Sequence, residues 1–97
     1  MGDTMSQFKM KEIPILERPR ERLKKVGALN LTDKELLSIL IKTGTKDRNV
    51  NEVALELLKN YSLIELKNIS LQNLTKIKGI GEVKAIELLA SIELGKR

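Results

Sequence analysis

The sequence predicts an all-α domain, a compact bundle of five to six short helices, and three observations carry that reading. Thr32 with Glu35, Asn49 with Glu52 and Ser62 with Glu65 form three closely spaced capping boxes. In each, the first side chain can accept the N–H three residues on, while the carboxylate reaches back to the first residue's own N–H. Apolar residues recur at helical spacing, as in Val53, Ala54, Leu57 and Leu58, and no stretch shows the period of two that a half-buried strand needs. Phe8 and Tyr61 are the only aromatic residues. The interior must therefore be built from Leu, Ile and Val, which favours helix packed on helix over a β-sandwich.

Taken in order, residues 1–12 read as a disordered or extended tail, short, largely polar and terminal. The helical domain is expected over residues 13–97. Pro14 and Pro19 hold their preceding residues out of helix, so residues 11–18 are extended, with Ile13, Ile15 and Leu16 available to pack on the body. Pro19 suits the first turn of a helix over residues 20–26 that Gly27 closes. Thr32 opens a helix over 33–42, stopped by Gly44 and followed by a polar loop over 43–48. Asn49 opens the next, over 50–60. Ser62 starts a short connector over 63–68, and Ser70 caps another short helix over 71–77. After the turn Lys78-Gly79-Ile80-Gly81, a last helix runs over 82–94 and ends at Gly95, with Lys96 and Arg97 facing its negative pole.

Composition narrows the function classes. The chain is 97 residues long, one domain, with no Cys and no His. Disulfides, thiolates, imidazole bases and the usual transition-metal ligands are all missing. No carboxylate pair suggests an acid/base couple, so the domain reads as non-catalytic, with no metal and no cofactor expected. No apolar run reaches the roughly 20 residues of a membrane span, and the N-terminus has no apolar signal core, so a cytoplasmic location with no membrane partner is expected. The net charge is +5. Seven basic residues against three acids fall within residues 9–25, so most of the excess sits in one arm. That distribution fits a polyanion, and it equally fits a solvated surface.

One internal likeness bears on architecture. Residues 52–58 read E-V-A-L-E-L-L and residues 82–89 read E-V-K-A-I-E-L-L, each after a helix and a lysine-glycine turn. Two helix-hairpin-helix units joined by the connector helix are the arrangement this suggests. The alternative is that Glu, Leu and Val are simply common in helices.

The sharpest signal is the stretch Leu74-Thr-Lys-Ile77-Lys-Gly79-Ile-Gly81-Glu-Val-Lys-Ala85. Here one helix ends, glycine allows a tight reversal, and the next helix begins at once. Ile80 can turn inward and pin the loop, while Ala85 lets the helices approach, followed by the apolar set Val83, Ile86, Leu88, Leu89, Ala90 and Ile92. This predicts a helix-hairpin-helix over residues 71–94. The N–H groups of Gly79, Gly81 and Val83 then lack helical partners at a positive dipole end, where a phosphate satisfies both donors and field. A side chain at Gly79 or Gly81 would hold that phosphate off, and Lys78 and Lys84 add charge. Backbone donors carry no base information, so the expected partner is DNA gripped nonspecifically by its phosphates. Such turns also serve as protein-docking units, and Glu82 beside the loop opposes phosphate.

Arg18 and Arg22, or Arg20 and Lys24, lie about one turn apart if helical, so Arg18, Arg20 and Arg22 could provide secondary basic contacts, unless Glu17 and Glu21 pair with them and leave a solvated surface. Lys42 and Lys46, in and beside the first turn, are further secondary contacts. That loop lacks the Walker spacing, the G-K-S/T ending and a preceding strand, so it is not a nucleotide-hydrolysis loop.

Together, Arg18-Pro-Arg-Glu-Arg-Leu23, Gly27-Ala28, Leu31-Thr-Asp-Lys-Glu-Leu-Leu37, Lys42-Thr-Gly-Thr45, Lys78-Gly-Ile-Gly81, Lys84-Ala85 and Glu93-Leu-Gly95 resemble the N-terminal region of the bacterial RadC family, over residues 13–97. Members bear the label DNA repair protein. That label is a name rather than a demonstrated activity, and the resemblance implies a helical module with its hairpin at Gly79, Ile80 and Gly81, ahead of a JAB/MPN-type metal-dependent domain marked by an H-x-H-P-S-G signature and a downstream Asp. Nothing in this chain matches that signature, so that domain's metal chemistry is not carried over. The domain itself becomes a docking partner for the N-terminal module.

Overall fold

The computed structural model describes residues 18–42 and 48–97. The expected N-terminal tail, the Gly44 stop and Lys46 lie outside the described residues. Among the described residues six helices follow one another: α1 (Pro19–Val26), α2 (Asp33–Ile41), α3 (Val50–Asn60), α4 (Leu63–Leu66), α5 (Leu71–Thr75) and α6 (Glu82–Lys96). A short 3-10 turn, Ala28–Asn30, links α1 to α2. No strand occurs among the described residues, as the sequence predicts.

Local chemistry fixes the starts of four helices. The Thr32 hydroxyl accepts the Glu35 N–H at 3.1 Å while Glu35 accepts the Thr32 N–H at 2.9 Å. Asn49 with Glu52 and Ser62 with Glu65 form the same reciprocal pairs. Ser70 caps α5 through the Asn73 N–H. α1 uses Pro19 in its first turn, where the missing N–H costs nothing. Gly27 closes it at φ 86°, a conformation that glycine adopts without strain.

Helix ends depart from expectation, each for a visible reason. α2 stops at Ile41 because Lys42 turns to φ 74° and its N–H returns to Ser38. α4 stops at Leu66, where the N–H groups of Lys67, Asn68 and Ile69 tighten to partners three residues back. That tightening buries Ile69. α5 ends at Thr75 by the same shift, with Lys76 and Ile77 bonding to Asn73 and Leu74. α6 passes through Gly95 to Lys96, whose ammonium donates to the Lys67 carbonyl at 3.2 Å. Gly95 breaks nothing there, since glycine in a helix costs only about 1 kcal/mol.

α3 is the centre of the core. Val53, Ala54 and Leu57 are fully enclosed, packed with Ile41, Leu66, Ile69, Leu74, Ile77, Ile80, Ala85 and Leu88. Tyr61, at the end of α3, is half-buried against this cluster. α2 packs on α3 and α5 on α6, with α4 between the two pairs in the chain. The apolar set expected along α6 divides. Ala85 and Leu88 are buried and Ile92 packs beside them, while Val83, Ile86 and Ala90 lie outside. At 100° per residue, positions 83, 86, 90 and 94 fall opposite 85, 88 and 92.

Arg22 joins α1 to α2 by a 2.5 Å bond from Nε to Glu35 Oε2. Partial burial pushes the Glu35 carboxyl up, but the Thr32 N–H and the Arg22 guanidinium outweigh it and hold the group below its ordinary value of 4.5. A lowered folded pKa means stability that is present above the unfolded value and lost as pH falls through the folded one. Glu35→Gln is expected to lower the melting temperature at neutral pH by about 4–8 °C, for a loss of about 1 kcal/mol. The gap from wild type should close as the pH drops below about 4. A calorimetric gap unchanged between neutral and acidic pH would contradict this.

Candidate nucleic-acid interface

The reversal between α5 and α6 is closed by the Ile80 N–H, which donates to the Ile77 carbonyl at 3.0 Å. Ile80 is buried and Lys78 is exposed, so the loop is pinned from inside while its basic residue faces solvent. Gly79 sits at φ 103° as the third residue of this turn, the position where a type II turn requires positive φ.

The two glycines have different physical reasons. A Cβ on Gly79 would lie 2.7 Å from Val53 Cγ2, so its bare Cα lets the turn rest against α3. The expectation that a side chain here would block a phosphate is therefore replaced by a packing cause, because the missing side chain points inward. At Gly81 a Cβ would meet nothing within 4 Å. There the bare position lies on the open side, where any side chain would stand over the start of α6.

Gly81 is the N-cap of α6 and supplies no side-chain bond. The first bond into α6 runs from the Ala85 N–H to the Gly81 carbonyl at 2.9 Å. Among the described residues, no acceptor meets the N–H of Gly79, Gly81, Glu82 or Val83. α2, α3, α4 and α5 each spend a Ser, Thr or Asn side chain on those donors. α6, the longest helix among the described residues, does not. Val83 and Glu82 are exposed beside it.

The expected lysines part company. Lys84 Nζ donates to the Ile41 carbonyl at 2.6 Å, so its charge serves the C-terminal end of α2. It braces the first turn of α6 against α2. Lys42, one residue on, lies 3.6 Å from Glu87 of α6. Arg18, Arg20 and Lys42 share a cleft of about 280 Å³ with Glu21, Ser38 and Ile39. The structure thus sets Arg18 and Arg20, the end of α2 and the start of α6 in sequence along the molecule. Arg22 points its charge into Glu35 instead, and Lys24 pairs with Glu21 at 3.3 Å. Arg20 and Lys78 have no ion-pair partner among the described residues.

Arg48 has a place that the motif reading misses. Its Nη1 donates to the Lys78 carbonyl at 3.0 Å and pairs with Glu56, while Nη2 donates to the Glu52 carbonyl at 3.3 Å. The one sequence signal is its spacing, four and eight residues ahead of Glu52 and Glu56. Among the described residues, no group of carboxylates could hold a metal ion, and no helix is long and apolar enough to cross a membrane.

Residues 10–86 match the family model described as UPF0758 N-terminal. The UPF0758 protein YsxA of Bacillus subtilis (strain 168) is 50% identical over 91 residues, covering 93% of this chain and 39% of the relative. A UPF0758 protein of Pelodictyon phaeoclathratiforme is 50% identical over 80 residues, 82% of this chain and 36% of the relative. Another, from Geobacillus sp. (strain WCH70), is 46% identical over 91 residues, 93% and 40% respectively. The chain therefore spans about two fifths of the length of these relatives. No solved structure matches it.

The two glycines are separable by stability. Gly79→Ala is expected to cost about 2–4 kcal/mol from positive φ and the clash with Val53. Gly81→Ala should cost no more than about 1 kcal/mol. Adding Val53→Ala to Gly79→Ala should recover part of the clash relative to the sum of the single changes. Urea titrations of the four proteins decide it, and equal losses at the two glycines would refute the assignment.

Proposed function

The chain belongs to the UPF0758 family, and from that membership and the geometry at residues 78–84 we propose that it is a non-catalytic N-terminal module that grips DNA by its phosphate backbone, through a helix-hairpin-helix formed by α5 and α6. One observation carries the reading. The N–H groups of Gly81, Glu82 and Val83 open the longest helix, have no acceptor among the described residues, and lie beside a position with no side chain over it. A phosphate oxygen is a chemically suitable acceptor for such donors at the positive end of a helix dipole. Lys78 adds a charge at the loop. The cleft of Arg18, Arg20 and Lys42 offers further phosphates a second contact, reached past the Lys84–Ile41 bond. Donors of this kind read no base, so binding is insensitive to sequence and falls steeply with salt.

A second reading rests on a separate observation. Val83, Ile86 and Leu94 are 71%, 53% and 76% exposed on the side of α6 away from the core. That apolar stripe favours docking of the rest of the family's longer chain, the metal-dependent domain that the RadC resemblance implies.

Labelled duplex and single-stranded DNA, titrated at two salt concentrations, separate the readings. Gly81→Glu is expected to weaken binding by at least about tenfold, while a charge-matched change elsewhere, Asn60→Asp, should weaken it far less. No binding at low salt, or equal effects of the two substitutions, would overturn the proposal. Loss of binding only on neutralising Arg18, Arg20 and Arg22 would move the site to the arm. Shifts confined to Val83, Ile86 and Leu94 when the remainder of a relative is added would favour docking.

A further inference from the structure

Arg48 stands outside the surface just described, yet it touches the element that shapes it. Its side chain is 19% exposed and is held on three sides, by Glu56, by the Glu52 carbonyl and by the Lys78 carbonyl. A guanidinium is planar and rigid, so three partners fix its orientation. Two of those partners belong to α3. The third belongs to the reversal, thirty residues further along the chain.

The Lys78 carbonyl lies in the same peptide plane as the Gly79 N–H, and the two point in opposite directions. Fixing one fixes the other. Type I and type II turns differ by a flip of their central peptide, which here is the one joining Lys78 and Gly79. The positive φ of Gly79 belongs to the second form, and glycine adopts either sign of φ. The closing bond from Ile80 to Ile77 is compatible with both forms. The local sequence therefore leaves that peptide free to flip.

We propose that Arg48 is a positioning residue that selects one form of the turn, by holding the Lys78 carbonyl and so aiming the Gly79 N–H. The consequence for DNA affinity rests on the function proposed above; the consequence for the turn does not. Val53 of α3 lies under Gly79, so the same helix supports the reversal from below and, through Arg48, sets its orientation.

The test uses the 97-residue chain labelled with nitrogen-15. In Arg48→Ala, the amide signals of Gly79 and Ile80 should shift and broaden by exchange between two forms, with the Ile80 amide exchanging faster with solvent. Glu56→Gln removes the ion pair but leaves the carbonyl bond, and should leave these signals near their wild-type positions. Arg48→Lys keeps a donor and should restore them in part; if Arg48→Ala does not fold, Arg48→Met, which keeps the apolar stem but has no donor, takes its place with the same expected disturbance. Duplex affinity should fall about tenfold in Arg48→Ala and little in Glu56→Gln. Unaltered Gly79 and Ile80 signals in Arg48→Ala, or equal effects from Glu56→Gln, overturn the proposal. If the wild type binds no DNA while these signals still move, the function proposed above fails and the positioning role stands.

Discussion

The contact between Gly79 and Val53 is the constraint on which the rest of the structure depends. No Cβ fits there, so the reversal lies directly on α3. That seating buries Ile80, brings Ala85 and Leu88 onto the core, and leaves the start of α6 facing outward. α3 itself is held by Asn49 and Glu52 at its start and by Ile41 and Leu74 among the side chains packed with it. The open backbone donors at Gly81, Glu82 and Val83 are a result of tertiary packing as much as of glycine.

Much of this was legible in the sequence, and the legible part is local. A capping box involves residues three apart, so Thr32, Asn49 and Ser62 announced their helices, and Gly27 announced an end. The inward Ile80 and the small Ala85 were readable because a reversal permits few other arrangements. Helix ends were less legible. Whether Lys42 turns to positive φ, or Ile69 draws the end of α4 inward, depends on what lies across the core. The outward position of Val83 and Ile86 was hidden because α6 is apolar on both sides, so hydropathy alone could not say which stripe faces in.

The site divides along the same line. The amides were legible, since a glycine N-cap withholds a side-chain acceptor. The charges were not. Lys84 looked like a phosphate contact until its ammonium was placed on the Ile41 carbonyl, and Arg22 looked like part of a basic face until Glu35 claimed it. Both partners lie more than ten residues away, and nothing in a linear pattern marks them. Arg48 was overlooked because the Lys78 carbonyl it holds lies thirty residues on, although its spacing to Glu52 and Glu56 was visible. Among the described residues, the positive charge without an ion-pair partner that remains for this surface is smaller than the composition suggests, and it includes Lys78 at the reversal and Arg20 in the cleft beside the end of α2.

The half-buried Tyr61 has a practical consequence. With no tryptophan in the chain and Phe8 its only other aromatic ring, the tyrosine-band absorption and emission of this protein come from a single side chain. That side chain sits where α3 gives way to α4, packed on the core. Its emission is a gauge of whether the interior is intact. The glycine turn is dark at those wavelengths, so a dye or an absorbing ligand brought there can be followed with little protein background.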